Sequence, residues 1–135
     1  MKTQATLELS DIKQIAAAAE AEALRNGWAV AIAIADAGGH PLWLQRLDGC
    51  APMAAYVAPA KARSAALGRR ETKNFEEMIN NGRTSFLSVP ELQALMEGGV
   101  PIVKDGQCIG AVGVSGVKSM QDAQIAQAGI AALGL

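Results

Sequence analysis

The stretch from Gly98 to Gly116, GGVPIVKDGQCIGAVGVSG, constrains the fold more than any other part of the chain. Two short apolar runs, at 100–103 and 108–114, flank an Asp105-Gly106 pair. Asp-Gly between two such runs is typical of a tight turn that joins neighbouring antiparallel strands. The sequence therefore predicts a β-hairpin over this stretch.

The second run of this hairpin contains an unusual number of glycines, at positions 110, 113 and 116. Glycine weakens a strand by itself, so its presence indicates that another backbone or a ligand comes close there. Two interpretations stay open: the glycines admit a tightly packed helix, or they form the floor of a ligand site.

Hydrophobic periodicity and turn residues predict the other elements. We expect helices over 11–26, 52–67, 72–80 and 120–133, strands over 28–35 and 42–47, a loop over 83–90 and one helical turn over 91–96.

Several boundaries rest on particular residues. Ser10 is the expected cap of the first helix, and Ser119 with Asp122 has the spacing of a capping box at the start of the last helix. Pro52 suits the first position of the second helix. Pro59 falls inside that helix, which predicts a kink or a late start near it.

Strands linked by hairpins favour an antiparallel α+β sheet with helices over its faces, and a single domain over 1–135. The chain has no GxGxxG sequence after a strand and no Walker A motif. A parallel nucleotide-binding fold is not expected.

Composition argues against several partner classes. The net charge of −1 gives no general attraction for nucleic acid or anionic lipid, and we expect neither partner. No long apolar segment or leader-like N-terminus is present, which favours a cytoplasmic protein.

Half of the residues are hydrophobic, and that excess of apolar surface predicts a closed homo-oligomer.

Four segments taken together resemble the GlcG/HbpS-like family, the small bacterial proteins of the haem-binding HbpS and glycolate-operon GlcG type. They are IAIADAGGHPLWLQRLDGC at 32–50, PAKARSAA at 59–66, GGVPI at 98–102, and IGAVGVSG at 109–116 followed by QD. The same family includes a domain fused to cobalamin adenosyltransferases.

The resemblance implies a profilin-like fold with a five-stranded antiparallel sheet flanked by helices, and homo-oligomers from tetramer to octamer. It also implies haem as a candidate cofactor, with haem handling or degradation as the associated activity. A shared fold does not by itself fix the chemistry.

Charged residues beside apolar ones are the first candidates for a site. Arg46 shares a strand face with Leu42 and Leu44, so its guanidinium must reach solvent or pair with a carboxylate such as Asp48 or Asp36. Lys61 lies in an alanine-rich helix and is either a solvated surface lysine or a group pointing into a cleft.

If these cations converge, Arg46 and Lys61 would bind an anionic ligand, and Lys61, Asp48 or Asp36 would transfer protons. Arg63 belongs to the same basic run and either binds the anion or is merely solvated. The walls of the predicted cleft are the glycine pair with its neighbouring proline, and a serine at the end of the hairpin. These are Gly98, Gly99, Pro101 and Ser115.

His40 is the only histidine and hence the best nitrogen ligand for haem iron, but its Gly-Gly-His-Pro turn favours a plain exposed turn residue. Cys50 is a second candidate axial ligand, and Cys108 is expected in the core. Two cysteines far apart in the sequence and one histidine argue against a structural metal site.

Three functional hypotheses follow. The first is a module that binds haem or a similar planar anionic ligand. The second is a small cofactor-independent enzyme, of the isomerase or lyase type, that acts on a carboxylated metabolite. The third is a structural or regulatory oligomer.

Overall fold

A computed structural model describes residues 1–135. Four α-helices, one short 3₁₀ helix and four strands follow one another along the chain. They are α1 Leu9–Asn26, β1 Ala31–Asp36, β2 Pro41–Arg46, α2 Ala54–Gly68, α3 Thr72–Asn80, the 3₁₀ helix Thr84–Ser88, β3 Gly99–Lys104, β4 Gln107–Ser115 and α4 Ser119–Ala131.

The strands form one antiparallel sheet in the order β2-β1-β4-β3. The α+β class is confirmed, but the expectation of five strands is wrong. The N-terminal segment runs beside the β3–β4 hairpin without joining it as a strand. Side-chain amides hold it there: Gln4 Nε2 donates to the Cys108 carbonyl oxygen at 2.8 Å, and Gln107 Nε2 donates to the Thr3 carbonyl oxygen at 3.1 Å.

The β3–β4 hairpin is confirmed, and its turn explains the sequence there. Asp105 and Gly106 both have positive φ, 51° and 75°, as a two-residue turn between twisted strands requires. This hairpin supplies half of the sheet.

The sheet separates two cores, because successive residues of a strand face opposite sides. Helices α1 and α4 pack on one face against Ile32 and Ile34 of β1. Helix α2 packs on the other face against Ala31, Ala33 and Ala35 through its own alanines. Large aliphatic residues thus fill one core, and small residues allow a close helix-to-sheet approach in the other.

Gly113 of β4 shows why this second core needs small residues. A Cβ atom at this position would overlap the carbonyl oxygen of Ala58 and the amide nitrogen of Ala62 in α2. The glycine therefore admits a helix and does not form the floor of a ligand site, which decides between the two interpretations for this position.

Some predicted boundaries are wrong by a few residues. Glu8, not Ser10, is the N-cap of α1, and its backbone amide donates to Asp11 Oδ2 at 2.8 Å. Lys118, not Ser119, is the N-cap of α4, and its backbone amide donates to Gln121 Oε1 at 3.3 Å. Both N-caps are thus displaced toward the N-terminus, because the backbone turn starts one or two residues earlier. Helix α2 begins at Ala54 and runs through Pro59, so a late start at the proline is also wrong.

Two further expectations concern the segment between α3 and β3. No helical turn forms over 91–96, whereas the predicted loop over 83–90 contains the 3₁₀ helix. None of the helices is both long and apolar enough to span a lipid bilayer.

Candidate functional site

A groove of about 460 Å³ lies on the α2 face of the sheet. Its lining comes from β1 and β2, from the turn between them, from the middle of α2 and from the segment that precedes β3. These residues are Ala33, Ile34, Ala35, Gly39, Pro41, Leu44, Pro59, Ala60, Ala62, Arg63, Pro90, Glu91 and Gln93. Its volume lies in the range of small-molecule sites, about 300–1,000 Å³.

The floor of the groove is apolar because only small side chains occupy the strand positions beneath it. Ala33 and Ala35 of β1 are buried there, while Leu44 of the edge strand β2 is 52% exposed. Helix α2 covers β1 and β4 more fully than it covers β2. The uncovered part of the sheet beside α2 is therefore the groove.

Arg63 and Glu91 form an ion pair that lines the groove on its solvent side. Both side chains remain accessible, with exposed fractions of 44% and 63%. The segment that carries Glu91 is fixed to α2 separately. Ser64 Oγ donates to the Gln93 carbonyl oxygen at 2.7 Å and accepts from the Gln93 amide at 3.0 Å.

His40 stands at the turn between β1 and β2, between two residues that line the groove, although it is not itself part of the lining. Its Nδ1 lies 3.0 Å from Asp36 Oδ1, and its side chain is 76% exposed. With Nδ1 directed at the carboxylate, Nε2 has no protein partner. An imidazole oriented by a carboxylate in this way is the usual arrangement of a metal-ligating histidine.

Asp36 is held in its ionised form by this turn. Partial desolvation opposes ionisation, but the backbone amides of His40 and Gly38 and the His40 ring together lower the pKa of the Asp36 carboxyl. Both amides donate to Oδ1 at 2.9 Å. The carboxylate therefore organises the turn and orients the imidazole at neutral pH.

A second polar cluster lies at the opposite end of β1, where β4 ends. Lys61 of α2 is buried with its Nζ 3.0 Å from the Val114 carbonyl oxygen and 3.3 Å from Asp122 Oδ2. The second carboxylate oxygen of Asp122 accepts from the Val117 amide at 3.1 Å. Burial raises the pKa of the Asp122 carboxyl, and the Lys61 ammonium counteracts part of that rise.

The glycine pair before β3 makes room for the lysine. A Cβ atom on Gly98 would lie 2.7 Å from Lys61 Nζ, and the Gly99 backbone packs on the Lys61 carbonyl and on Thr72. Gly98 also has a φ of 135°, which disfavours any side chain there. Lys61 and the two glycines thus pack against one another, and none of the three lines the groove.

The other predicted site residues are divided between the two ends of the sheet. Arg46 and Ser115 each pair with Ala31, on opposite sides of it, so both lie at the Lys61 end. Arg46 is exposed and forms no ion pair, and Asp48 is exposed in the following turn. Pro101 lies in β3 opposite Ala111. Of the predicted set, only Arg63 lines the groove.

The two cysteines contribute little to the groove or to the Lys61–Asp122 cluster. Both are unbridged, and Cys50 is buried. Burial raises the pKa of the Cys50 thiol, with a smaller opposing effect from Arg46. No group of three or more His, Cys, Asp or Glu side chains is arranged to hold a bare metal ion.

Sequence reasoning missed Asp122 as a buried partner and Glu91 as a groove residue. Asp122 fitted the pattern of a helix cap, and an aspartate in the first turn of a helix gives no sign of a partner 61 positions away. Glu91 follows Val89-Pro90 in a segment without periodicity. No local pattern in the sequence indicates either contact.

Comparison with known proteins decides the family. A model of the family described as "Haem degrading protein HbpS-like" matches residues 7–131. The chain belongs to the HbpS-like family. The protein GlcG of Escherichia coli strain K12 is 60% identical over 115 residues, which are 85% of each chain.

Solved HbpS-like structures have the same fold. A double mutant of HbpS from Streptomyces reticuli superposes with a TM-score of 0.91 and 28% identity, covering 100% of this chain and 92% of that one. A structure described as a PduOC:heme complex gives a TM-score of 0.86 and 27% identity, covering 95% of each chain. The predicted family is therefore confirmed.

Proposed function

We propose that this HbpS-like protein binds haem, or a related planar anionic ligand, in the groove beside α2. The observation that carries the proposal is the groove itself, an apolar floor of strand alanines with one cationic side chain, Arg63, on its solvent side. A flat hydrophobic ligand with peripheral carboxylates matches that distribution of apolar and charged surface.

The residues around the groove fit haem. Arg63 would hold a propionate, and His40, oriented by Asp36, would offer Nε2 to the iron. When bound, haem would supply an iron centre for ligand exchange or redox chemistry. The chain's own contributions are to exclude water from one face of the ligand and to orient its charged edge.

Two comparisons support this assignment. The matched family is named for haem degradation, and PduOC has been crystallised with haem. Haem handling or degradation is the activity that we propose to follow from binding.

The alternative of a cofactor-independent enzyme acting on a carboxylated metabolite requires Lys61 or an aspartate to reach a substrate. The Lys61 and Asp122 side chains are each 3% exposed and bonded to each other. Arg46 and Asp48 are accessible but are not among the residues that line the groove. No contact in the structure favours this alternative over ligand binding.

We also propose that the protein forms a closed homo-oligomer. Large apolar side chains on the outer side of α2 and on β2 remain exposed, among them Tyr56, which is 81% exposed. Exposed apolar surface of this kind is typical of interfaces.

A haemin titration tests the binding proposal. We expect a shifted Soret band that saturates near one haemin per chain. Arg63→Gln should weaken binding by about three- to tenfold, because a half-exposed charge-assisted contact is worth less than a buried one. Lys104→Gln removes one positive charge from the exposed end of β3 and should have no effect. Weak, unsaturable adsorption by the unmodified protein would contradict the proposal.

A further inference from the structure

The ion pair at the groove gives Glu91 a role that ligand binding alone does not require. Glu91 and Arg63 both line the groove, and the glutamate carboxylate is bonded to the only cation of that lining. An anionic group entering the groove would need the same guanidinium N–H donors. The carboxylate of the protein and that of the ligand therefore compete for one partner.

We propose that Glu91 is a specificity-determining residue that competes with anionic ligands for Arg63. This inference rests on the proposed binding function of the groove. In the ligand-free protein Glu91 neutralises Arg63, and a ligand that carries carboxylates must displace it. After displacement, the free Glu91 carboxylate still repels the ligand's negative edge. A neutral planar ligand meets neither obstacle.

The structure allows Glu91 to release Arg63 without movement of the segment that carries Glu91. The segment carrying Glu91 is anchored by the two Ser64–Gln93 hydrogen bonds, and Ser64 is fully buried at 0% exposure. The ion pair itself is exposed on both sides, so it contributes little to holding the segment. Glu91 can therefore release Arg63 while the segment stays on α2.

The alternative view is that Glu91 simply supports the groove wall. That view predicts that removing its charge weakens all ligands, charged or neutral. Competition predicts the opposite sign for charged ligands. The two views are separated by the direction of a single affinity change.

The experiment compares Glu91→Gln with the unmodified protein, using haemin and haemin dimethyl ester, whose two carboxylates are blocked. We expect haemin to bind the variant about two- to fivefold more tightly, the range of an exposed ion pair, and the ester to bind both proteins equally. Glu20→Gln, on α1 across the sheet, makes the same charge change away from the groove and should leave both affinities unchanged.

Arg63→Gln completes a double-mutant cycle, because the gain from Glu91→Gln should disappear in the Arg63→Gln background. Weaker or unchanged haemin binding by Glu91→Gln, with the unmodified protein still binding, overturns the competition and leaves the proposed function intact. An equal gain for the ester also overturns it. Failure of both proteins to bind haemin overturns the proposed function and this inference together.

Discussion

Lys61 and Asp122 form a buried ion pair that joins the two helical layers of the molecule around the end of β4. The lysine comes from α2 on one face of the sheet and the aspartate from α4 on the other, with Nζ and Oδ2 3.3 Å apart. A contact that fixes α2 also fixes the wall of the groove, because Ala60, Ala62 and Arg63 flank Lys61 in the chain.

Lys61→Met should destabilise the protein by about 3–5 kcal/mol at neutral pH, because it leaves the Asp122 carboxylate buried without a counter-charge. The loss should shrink on acidification. Without Lys61 the already raised pKa of Asp122 rises further. A carboxyl group whose pKa is raised in the folded state stabilises the protein at low pH. That stabilisation is lost as the pH rises through the raised pKa.

Denaturant unfolding at several pH values measures this effect. The double variant Lys61→Met/Asp122→Asn should recover much of the lost stability, since the asparagine keeps an acceptor for the Val117 amide without a buried charge. A double variant less stable than Lys61→Met at neutral pH would contradict the ion-pair interpretation.

His40→Ala should alter the spectrum of the ferric haem complex if Nε2 binds the iron. Asp36→Asn should change the spectrum in the same direction. It should weaken haem affinity by no more than about 10–100-fold, because the carboxylate orients the ring without touching the ligand. The orienting effect of the Asp36 carboxylate on the ring persists at neutral pH and is lost only as the pH falls through the lowered pKa of Asp36. Identical spectra for all three proteins would place iron ligation elsewhere.

Gly113→Ala should destabilise the protein by about 1–3 kcal/mol, because its methyl group overlaps the α2 backbone, which cannot move aside as a side chain can. Gly38→Ala is the matched control, since the added methyl group meets side chains, the exposed His40 ring and Asp36 Oδ1, and no backbone atom. The midpoints of denaturant unfolding give both values. Equal, small effects would show that α2 lies farther from β4 than the structure has it.

The proposed homo-oligomer predicts a light-scattering mass of four to eight times the chain mass of 13.9 kDa. Tyr56→Lys should weaken assembly, since it places a charge on the exposed apolar side of α2. Leu24→Lys changes a residue of 64% exposure on α1 and serves as the control. A monomer at micromolar concentration contradicts the assembly, and dissociation by the control alone contradicts its placement on α2.

Local patterns predicted most of the elements because each depends on neighbours in sequence. Asp105-Gly106 specifies its turn through the φ values that both residues tolerate, and the alternation of Ala and Ile in β1 assigns each residue to one of the two cores. The number of strands was not predictable in this way. The N-terminal segment reaches the hairpin, but side-chain bonds and not a backbone ladder hold it there.

The sequence by itself determined the family, the α+β class, the central hairpin and the presence of cationic candidates. Only the tertiary structure decided which of those cations reach a cavity. Lys61 and Arg63 are two positions apart on one helix, so their side chains leave it in different directions, and one is buried against Asp122 while the other lines the groove. Partners that lie 28 and 61 positions away fix those environments, and sequence spacing carries no information about them.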